Sequence, residues 1–251
     1  MRRLFFHACI CRNQPWMSVL RMDMIDNRYE PMYYYYCMNR EDYCMDIYEA
    51  IASRRTVRDF EDRPIEHAVI RRIIETGLKA PTNNHMREWE FIVFPDKQDR
   101  LKAVQKVRDR EQKEAVDIVD HWGLVEDSQR EMYIDAIPKQ HRMLVETGCL
   151  IIPLFRQYEP LLKPGSLSSL NGFASIWCCI ENMLLAAASE GIQGVTRIPF
   201  DEEAGFLKAA LKVPEGYEIP CYLAMGYPAL RQPVIRQHPV DIDGKIHLNH
   251  W

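Results

Sequence analysis

Arg54-Arg55-Thr56-Val57-Arg58 puts three guanidinium groups and a hydroxyl into five residues, directly after the short amphipathic run Ile47-Tyr48-Glu49-Ala50-Ile51-Ala52. Like charges this close repel unless water or an anion lies between them. Arginine presents a planar fork of donors that matches phosphate oxygens, and a threonine hydroxyl adds a shorter bond to the same group. A phosphate monoester is the guest that such a cluster suits. The alternative is a solvated basic helix end, because runs of charge commonly just face water. The pentapeptide alone does not separate the two.

The chain has 251 residues, 47% of them hydrophobic, and a formal net charge of −4. That is enough for one large domain or two small ones with a sizeable core. The charge gives no global drive toward nucleic acid or an anionic membrane, so basic residues act through local clusters and a small-molecule partner is expected. The eight cysteines, Cys9, Cys11, Cys37, Cys44, Cys149, Cys178, Cys179 and Cys221, show no C-x-x-C spacing of the zinc-site kind. Cys178 and Cys179 lie in an apolar helical run, where free cysteine acts as a small core residue. Reduced thiols imply the cytosol.

Residues 1–44 do not resemble the rest. They hold half of the cysteines and the run Tyr33-Tyr34-Tyr35-Tyr36, with no sustained periodicity, whereas Met45-Asp46-Ile47 reads like a fresh start. The reading is an extension outside a main domain of residues 45–251; a tyrosine-rich docking arm is the alternative. Met1 to Ile10 lacks the unbroken apolar core of a secretory signal, and nothing later approaches the ~20 apolar residues needed to cross a bilayer.

From Met45 the pattern is regular. Asp62-Arg63-Pro64-Ile65 opens a helix carrying Val69, Ile70, Ile73, Ile74 and Leu78 at helical spacing. Pro81-Thr82-Asn83-Asn84-His85 is a polar turn, and Trp89 to Phe94 reads as a central strand. Asp99 to about His121 reads as one charged helix with a broken apolar stripe, followed by an acidic stretch without pattern to about Asp135. Cys149 to Phe155 is a buried strand. Asn171 to Glu190 is a helix apolar around nearly its whole circumference, suited to the centre of a subunit or to a subunit interface. Gly194 to Pro199 is extended, and Ile219 to Pro228 is a strand ending in a turn.

Four of these pieces, in this order, resemble the flavin-dependent nitroreductase family. Arg54-Arg55-Thr56-Val57-Arg58 is similar to its R-[RH]-[ST]-x-[RK] signature, and Pro81 to His85 with Trp89 resembles its P-[ST]-x-x-[NH]-x-x-x-W turn. Asn182-Met183-Leu184-Leu185-Ala186-Ala187 resembles its N-L-L-L-A-A helix, and Met225-Gly226-Tyr227-Pro228 its closing L-G-Y-P. The resemblance implies an α+β three-layer sandwich, with a mainly antiparallel central sheet flanked by helices, and a homodimer that binds FMN at the subunit interface. It puts Arg54, Arg55, Thr56 and Arg58 where the family holds the FMN phosphate and ribityl chain. Pro81, Thr82, Asn83 and His85 fall on the turn that meets the flavin, and Thr196, Arg197 and Ile198 beside its reactive edge. Arg236 falls where a last phosphate ligand is expected. No metal ligand and no catalytic side chain is implied, because the chemistry belongs to flavin N5.

The implied activity is hydride transfer from NADH or NADPH through the flavin to an acceptor such as a nitroaromatic or quinone, in a ping-pong cycle. The nicotinamide preference is open, because no dinucleotide fingerprint is present. The chain departs from the family at Arg87-Glu88, where glutamine or glutamate followed by proline is common. Relatives that dehalogenate iodotyrosine resemble this chain at His85 and from Val195 to Pro199, but they place threonine where Ile198 stands. That difference implies two-electron chemistry. Two other readings stay open: a flavin-binding protein for sensing or storage without turnover, and an anion-binding module without flavin.

Overall fold

The computed structural model describes residues 45–251 apart from positions 201 and 234, and the expected extension over residues 1–44 lies outside the described residues. Asp46 starts the first helix, α1 (Ile47–Ser53): its carboxylate accepts the Glu49 N–H, and the Glu49 carboxylate accepts the Asp46 N–H. Two helix-end donors are satisfied reciprocally. The helix stops at Arg54, and the pentapeptide leaves it extended. The second helix, α2 (His67–Gly77), buries Val69, Ile70 and Ile73. It starts later than Asp62-Arg63-Pro64-Ile65 predicts because Ile65, still extended, is itself a core residue seated against Gly148.

Trp89–Phe94 forms the first strand, β1, but at the edge of the sheet rather than at its centre. The single charged helix expected from Asp99 to His121 is two, α3 (Lys97–Ala103) and α4 (Gln112–His121). The break is driven by burial, since Val104 and Val107 are both fully buried and the chain turns inward to place them. The unpatterned acidic stretch contains a third helix, α5 (Asp127–Ala136), started by the Glu126 carboxylate accepting the Gln129 N–H. A 3-10 turn (Ile137–Lys139) and α6 (Arg142–Val145) lead to β2 (Cys149–Arg156). Then follow α7 (Asn171–Ser189), β3 (Gln193–Arg197), α8 (Glu203–Ala210), β4 (Tyr217–Glu218) and β5 (Tyr222–Gly226).

The sheet runs β1-β2-β5-β3, with β4 paired to the end of β2, and every pairing of these strands is antiparallel. Successive side chains of a strand point to opposite faces, and β2 uses both. Cys149, Ile151 and Phe155 join one core with α2 and α7, while Leu150, Ile152 and Leu154 join a second with α3, α6 and α8. Two buried faces make three layers, the expected α+β sandwich. Each fully buried Ile or Leu contributes roughly 1.5–3 kcal/mol. Pro153 sits inside β2 without harm: β5 pairs only as far as Ile151 and β4 begins at Phe155, so its missing N–H falls opposite a gap.

The helix α7 is less buried than its composition predicts. Ile176, Cys179, Ile180 and Met183 face the core, but Cys178 is exposed and so is Glu181. Adjacent helical residues lie about 100° apart, so the two cysteines cannot share one face. By length and composition Leu167–Ser189 would also suffice to cross a bilayer, against the expectation above. Its buried face is nevertheless committed to α2, β2 and β5 within the protein core.

Candidate functional site

The pentapeptide lies along the edge of β3. Thr56 bridges to Gly194, the Val57 N–H donates to the Gly194 carbonyl at 3.2 Å, and the Val57 side chain is buried. The Gln193 side chain clamps the segment from both sides, accepting the Arg55 N–H at 2.8 Å and donating to the Ser53 carbonyl at 3.2 Å. This is a fixed extended segment, not a fraying helix end. Gln193 is a contributor that sequence reasoning missed, because it is 138 residues from Arg55.

The three guanidiniums are treated differently. Arg55 donates from Nη1 to the carbonyls of Ala52 and Arg54 and is exposed, as is Thr56. Arg54 lies 3.4 Å from Glu181 on α7, a carboxylate itself half exposed. Arg58 is nearly buried and donates from Nη1 to Asp135 at 3.4 Å. Burial lowers the Arg58 pKa from the arginine value, and Asp135 opposes that shift. Next to it, the Lys139 ammonium donates to both Asp135 and Asp59. Three cations gathered on one sheet edge with little carboxylate compensation at Arg54 and Arg55 form a donor set suited to an anion.

Arg197, on β3, is also nearly buried, but its donors are occupied. Nη1 and Nη2 donate to the two Glu203 oxygens and Nε donates to Gln140 at 2.8 Å. The guanidinium also lies against Phe200 and Tyr222. Ile198, which follows, is 58% exposed.

The Thr82 turn lies elsewhere. It borders a polar cavity of about 130 Å³ that Gln157 and Ser169 help to line, together with Asn171 and Ser175 from the first turns of α7. Asn83 and Arg87 line the same cavity. His85 and Arg87 both have positive φ, 61° and 48°, a conformation that non-glycine residues seldom adopt. The departures from the family pattern explain how the turn is held. Arg87 donates from Nε to the Leu78 carbonyl at 2.8 Å and from Nη1 to the His85 carbonyl, while Glu88 accepts from the Tyr158 hydroxyl and from Asn84. Among the described residues, Thr82 Oγ1 is the buried side-chain polar atom left without a partner. Such an orphan in a native protein calls for an explanation, and a ligand is one.

Within one chain these groups do not meet. Glu181 beside Arg54 and Asn171 beside the Thr82 turn are separated by roughly 15 Å of helix axis. Arg236 is exposed on the tail, in a groove with Glu126 and Ser128 at the start of α5. No hydrogen bond or ion pair among the described residues joins it to Arg54–Arg58. Residues 54–58 and 196–198 form one neighbourhood through Gly194 and β3, the Thr82 turn a second, and Arg236 a third.

Fold and site together define a three-layer α+β protein with an arginine-rich segment along one sheet edge. The nitroreductase family model matches residues 51–227, and the chain belongs to that family. By membership it is a flavin-dependent oxidoreductase. An iodotyrosine deiodinase from Haliscomenobacter hydrossis is 28% identical over 186 residues, 73% of this chain and 80% of the relative. An NADH dehydrogenase from Thermus thermophilus is 22% identical over 190 residues, 74% of this chain and 88% of the relative. Among solved structures, a nitroreductase-like family protein from Bacillus cereus matches with a TM-score of 0.58 at 16% identity, covering 82% of this chain and 97% of its own. Oxidised iodotyrosine deiodinase bound to FMN and 3-iodo-L-tyrosine matches with a TM-score of 0.60 at 16% identity, covering 82% and 100%. At these identities the structures speak for the fold.

Proposed function

We propose that residues 45–251 are an FMN-dependent domain that passes hydride from NADH or NADPH to an oxidised acceptor such as a nitroaromatic or quinone, and that it works as a homodimer. The observation that carries the reading is the clamped pentapeptide. Its backbone is fixed to β3 by Val57 and Gln193, while Arg54 and Arg55 meet only an exposed carboxylate and two carbonyls. A dianionic phosphate supplies the acceptors that such donors lack. The residues present fit FMN on a second count, since the orphaned Thr82 Oγ1 is a polar atom in want of a partner.

The separation of the two groups supports the homodimer. Arg54–Arg58 and the Thr82 turn meet α7 at different places in one chain, Glu181 and Asn171, and in the homodimer a second copy brings its own Thr82 turn to the first copy's arginines. The exposed side of α7, including Ala174 and Cys178, is available for that contact. When bound, FMN supplies hydride acceptance and donation at N5. The chain's own tasks are to grip the phosphate through Arg54, Arg55, Thr56 and Arg58, to orient the ring from the Thr82–His85 turn, and to leave the Ile198 backbone N–H beside the reactive edge. Arg236 is assigned to the phosphate as a last ligand, from the tail.

A second reading, reductive dehalogenation of an iodotyrosine, is favoured by the deiodinase relative at 28% identity. The isoleucine at position 198 speaks against it, because it offers no hydroxyl there. The test is direct. Protein purified with FMN should be yellow, should bleach with NADH or NADPH under nitrogen, and should recover colour with a nitroaromatic or quinone. A yellow protein that no nicotinamide bleaches supports a sensing or storage role, recovery with 3-iodotyrosine alone supports the second reading, and a colourless protein that refuses added FMN removes the flavin reading altogether.

A further inference from the structure

A chain of ion pairs, centred on the buried Lys139 and the nearly buried Asp135, ties the arginine-rich segment to the end of α5 and the turn after it. Arg58 Nη1 donates to Asp135 Oδ2, Lys139 Nζ donates to Asp135 Oδ1 and to Asp59 Oδ2, and Arg142 Nη2 lies 3.9 Å from Asp59 Oδ1. The signs alternate from arginine to arginine. Resting on the flavin reading above, we propose that Asp135 and Lys139 are positioning residues, which aim Arg58 at the cofactor without cancelling its charge.

The argument is one of sharing. A single aspartate facing a single nearly buried arginine would fix the guanidinium but also neutralise it, leaving a poor anion site. Here Asp135 is divided between Arg58 and Lys139, and Lys139 is divided between Asp135 and Asp59. Three cations therefore share two carboxylates, and one positive charge is left over. The Arg58 contact is long, 3.4 Å, whereas Lys139 is the tightly held centre. Arg58 is thus restrained through one N–H, and its other donors remain for a ligand.

The geometry of the chain makes it rigid. Arg58 and Asp59 are neighbours in sequence, and Asp59 is fixed by its carbonyl accepting the Ala229 N–H at 3.0 Å. Asp135 and Lys139 are one helical turn apart, on the last turn of α5 and the 3-10 turn after it. Each side chain sees a partner on the opposite segment. A buried lysine with no partner would be strongly unfavourable, so the contact holds α5 against the segment. Gln140, the next residue, receives the Arg197 Nε–H at 2.8 Å and extends the same contact toward β3. The stretch that showed no pattern in sequence is in this way part of the flavin site.

The experiment is FMN titration by fluorescence quenching of the full chain freed of flavin, for the parent and for Asp135→Asn, Asp135→Glu and Lys139→Gln, each with Arg58 and with Arg58→Gln. Asp135→Asn should weaken FMN binding roughly tenfold, the scale of one charge-assisted hydrogen bond. Asp135→Glu should recover most of that loss. In the Arg58→Gln background, Asp135→Asn should add less than about twofold. Simple charge counting gives the opposite sign, because removing a carboxylate beside an anion site tightens binding. Tighter or unchanged binding in Asp135→Asn therefore overturns the proposal, as does an equal loss in both backgrounds. Should Asp135→Asn fail to fold, Lys139→Gln is read through the paired backgrounds, because charge counting also weakens binding there: its loss should fall below about twofold in the Arg58→Gln background, and an equal loss in both overturns the proposal. A flat titration of the parent itself is a different result: it ends the flavin reading, and this inference with it.

Discussion

Replacing Arg54 by alanine separates binding from stability, because the structure gives that side chain little to hold in the folded chain. Arg54 is one third exposed, and its partner Glu181 lies 3.4 Å away and is 52% exposed. Exposed pairs of this kind contribute about 0–1 kcal/mol, and Glu181 stays hydrated once the arginine is gone. The melting temperature of the flavin-free protein should therefore move by no more than about 3 °C. Against a bound phosphate the same guanidinium makes charge-assisted bonds, with about 1.5–3 kcal/mol for a hydrogen bond to a charged group. FMN binding should weaken by a factor of roughly 10 to 150. Arg58→Ala makes the contrast, because it leaves the nearly buried Asp135 short of a partner and should lower the melting temperature by several degrees besides weakening FMN. Differential scanning fluorimetry of the flavin-free proteins and FMN titration of each give the two numbers. If Arg54→Ala bound FMN as tightly as the parent, the assignment of the pentapeptide to the phosphate would be refuted.

Thr82→Val keeps the shape and removes the orphaned Oγ1, so the flavin-free protein should gain up to about 1 kcal/mol while FMN affinity falls; a lower melting temperature would mean that the hydroxyl is already satisfied. Glu126 accepts from Ser128 and from the Gln129 N–H, and its carboxyl is held down to about 2 from 4.5. A depressed folded-state pKa stabilises above the unfolded value and loses that contribution as pH falls through the folded one, so Glu126→Gln should flatten the stability profile between about pH 4.5 and 2. Chemical denaturation across that range reads this, and an unchanged slope would count against it. Burial pushes the Cys179 thiol up to about 12, while Cys178 is exposed. Iodoacetamide at pH 8 followed by peptide mass spectrometry should spare Cys179 throughout and label Cys178 on chains diluted to monomers, since the proposed homodimer covers it; equal labelling of the two in monomers would contradict the orientation of α7.

Much of the architecture was legible in the residues because its signals are local. The apolar spacing of Val69, Ile70 and Ile73, the continuous run of Cys149 to Phe155 and the stop at Gly191 each depend on neighbours a few positions away. The misreadings have a shared cause. The single helix from Asp99 splits because Val104 and Val107 are drawn into a core built by distant strands, and β1 lies at an edge because strand order is not written in strand composition. Cys178 could not be sorted from Cys179 without knowing which face α2 and the sheet would cover.

The sequence by itself determined that an arginine-rich segment, a polar turn and an apolar helix occur in an order that resembles the nitroreductase family, since these are short patterns whose chemistry is carried by adjacent residues. Only the tertiary structure decided how each arginine is used. Arg197 is occupied by Glu203 and Gln140, Arg58 is restrained by Asp135, and Arg55 is fixed through its backbone by Gln193. The cause is physical: the strength and direction of a charge depend on burial and on its nearest opposite charge, and in this fold several of those partners lie scores of residues away in the chain.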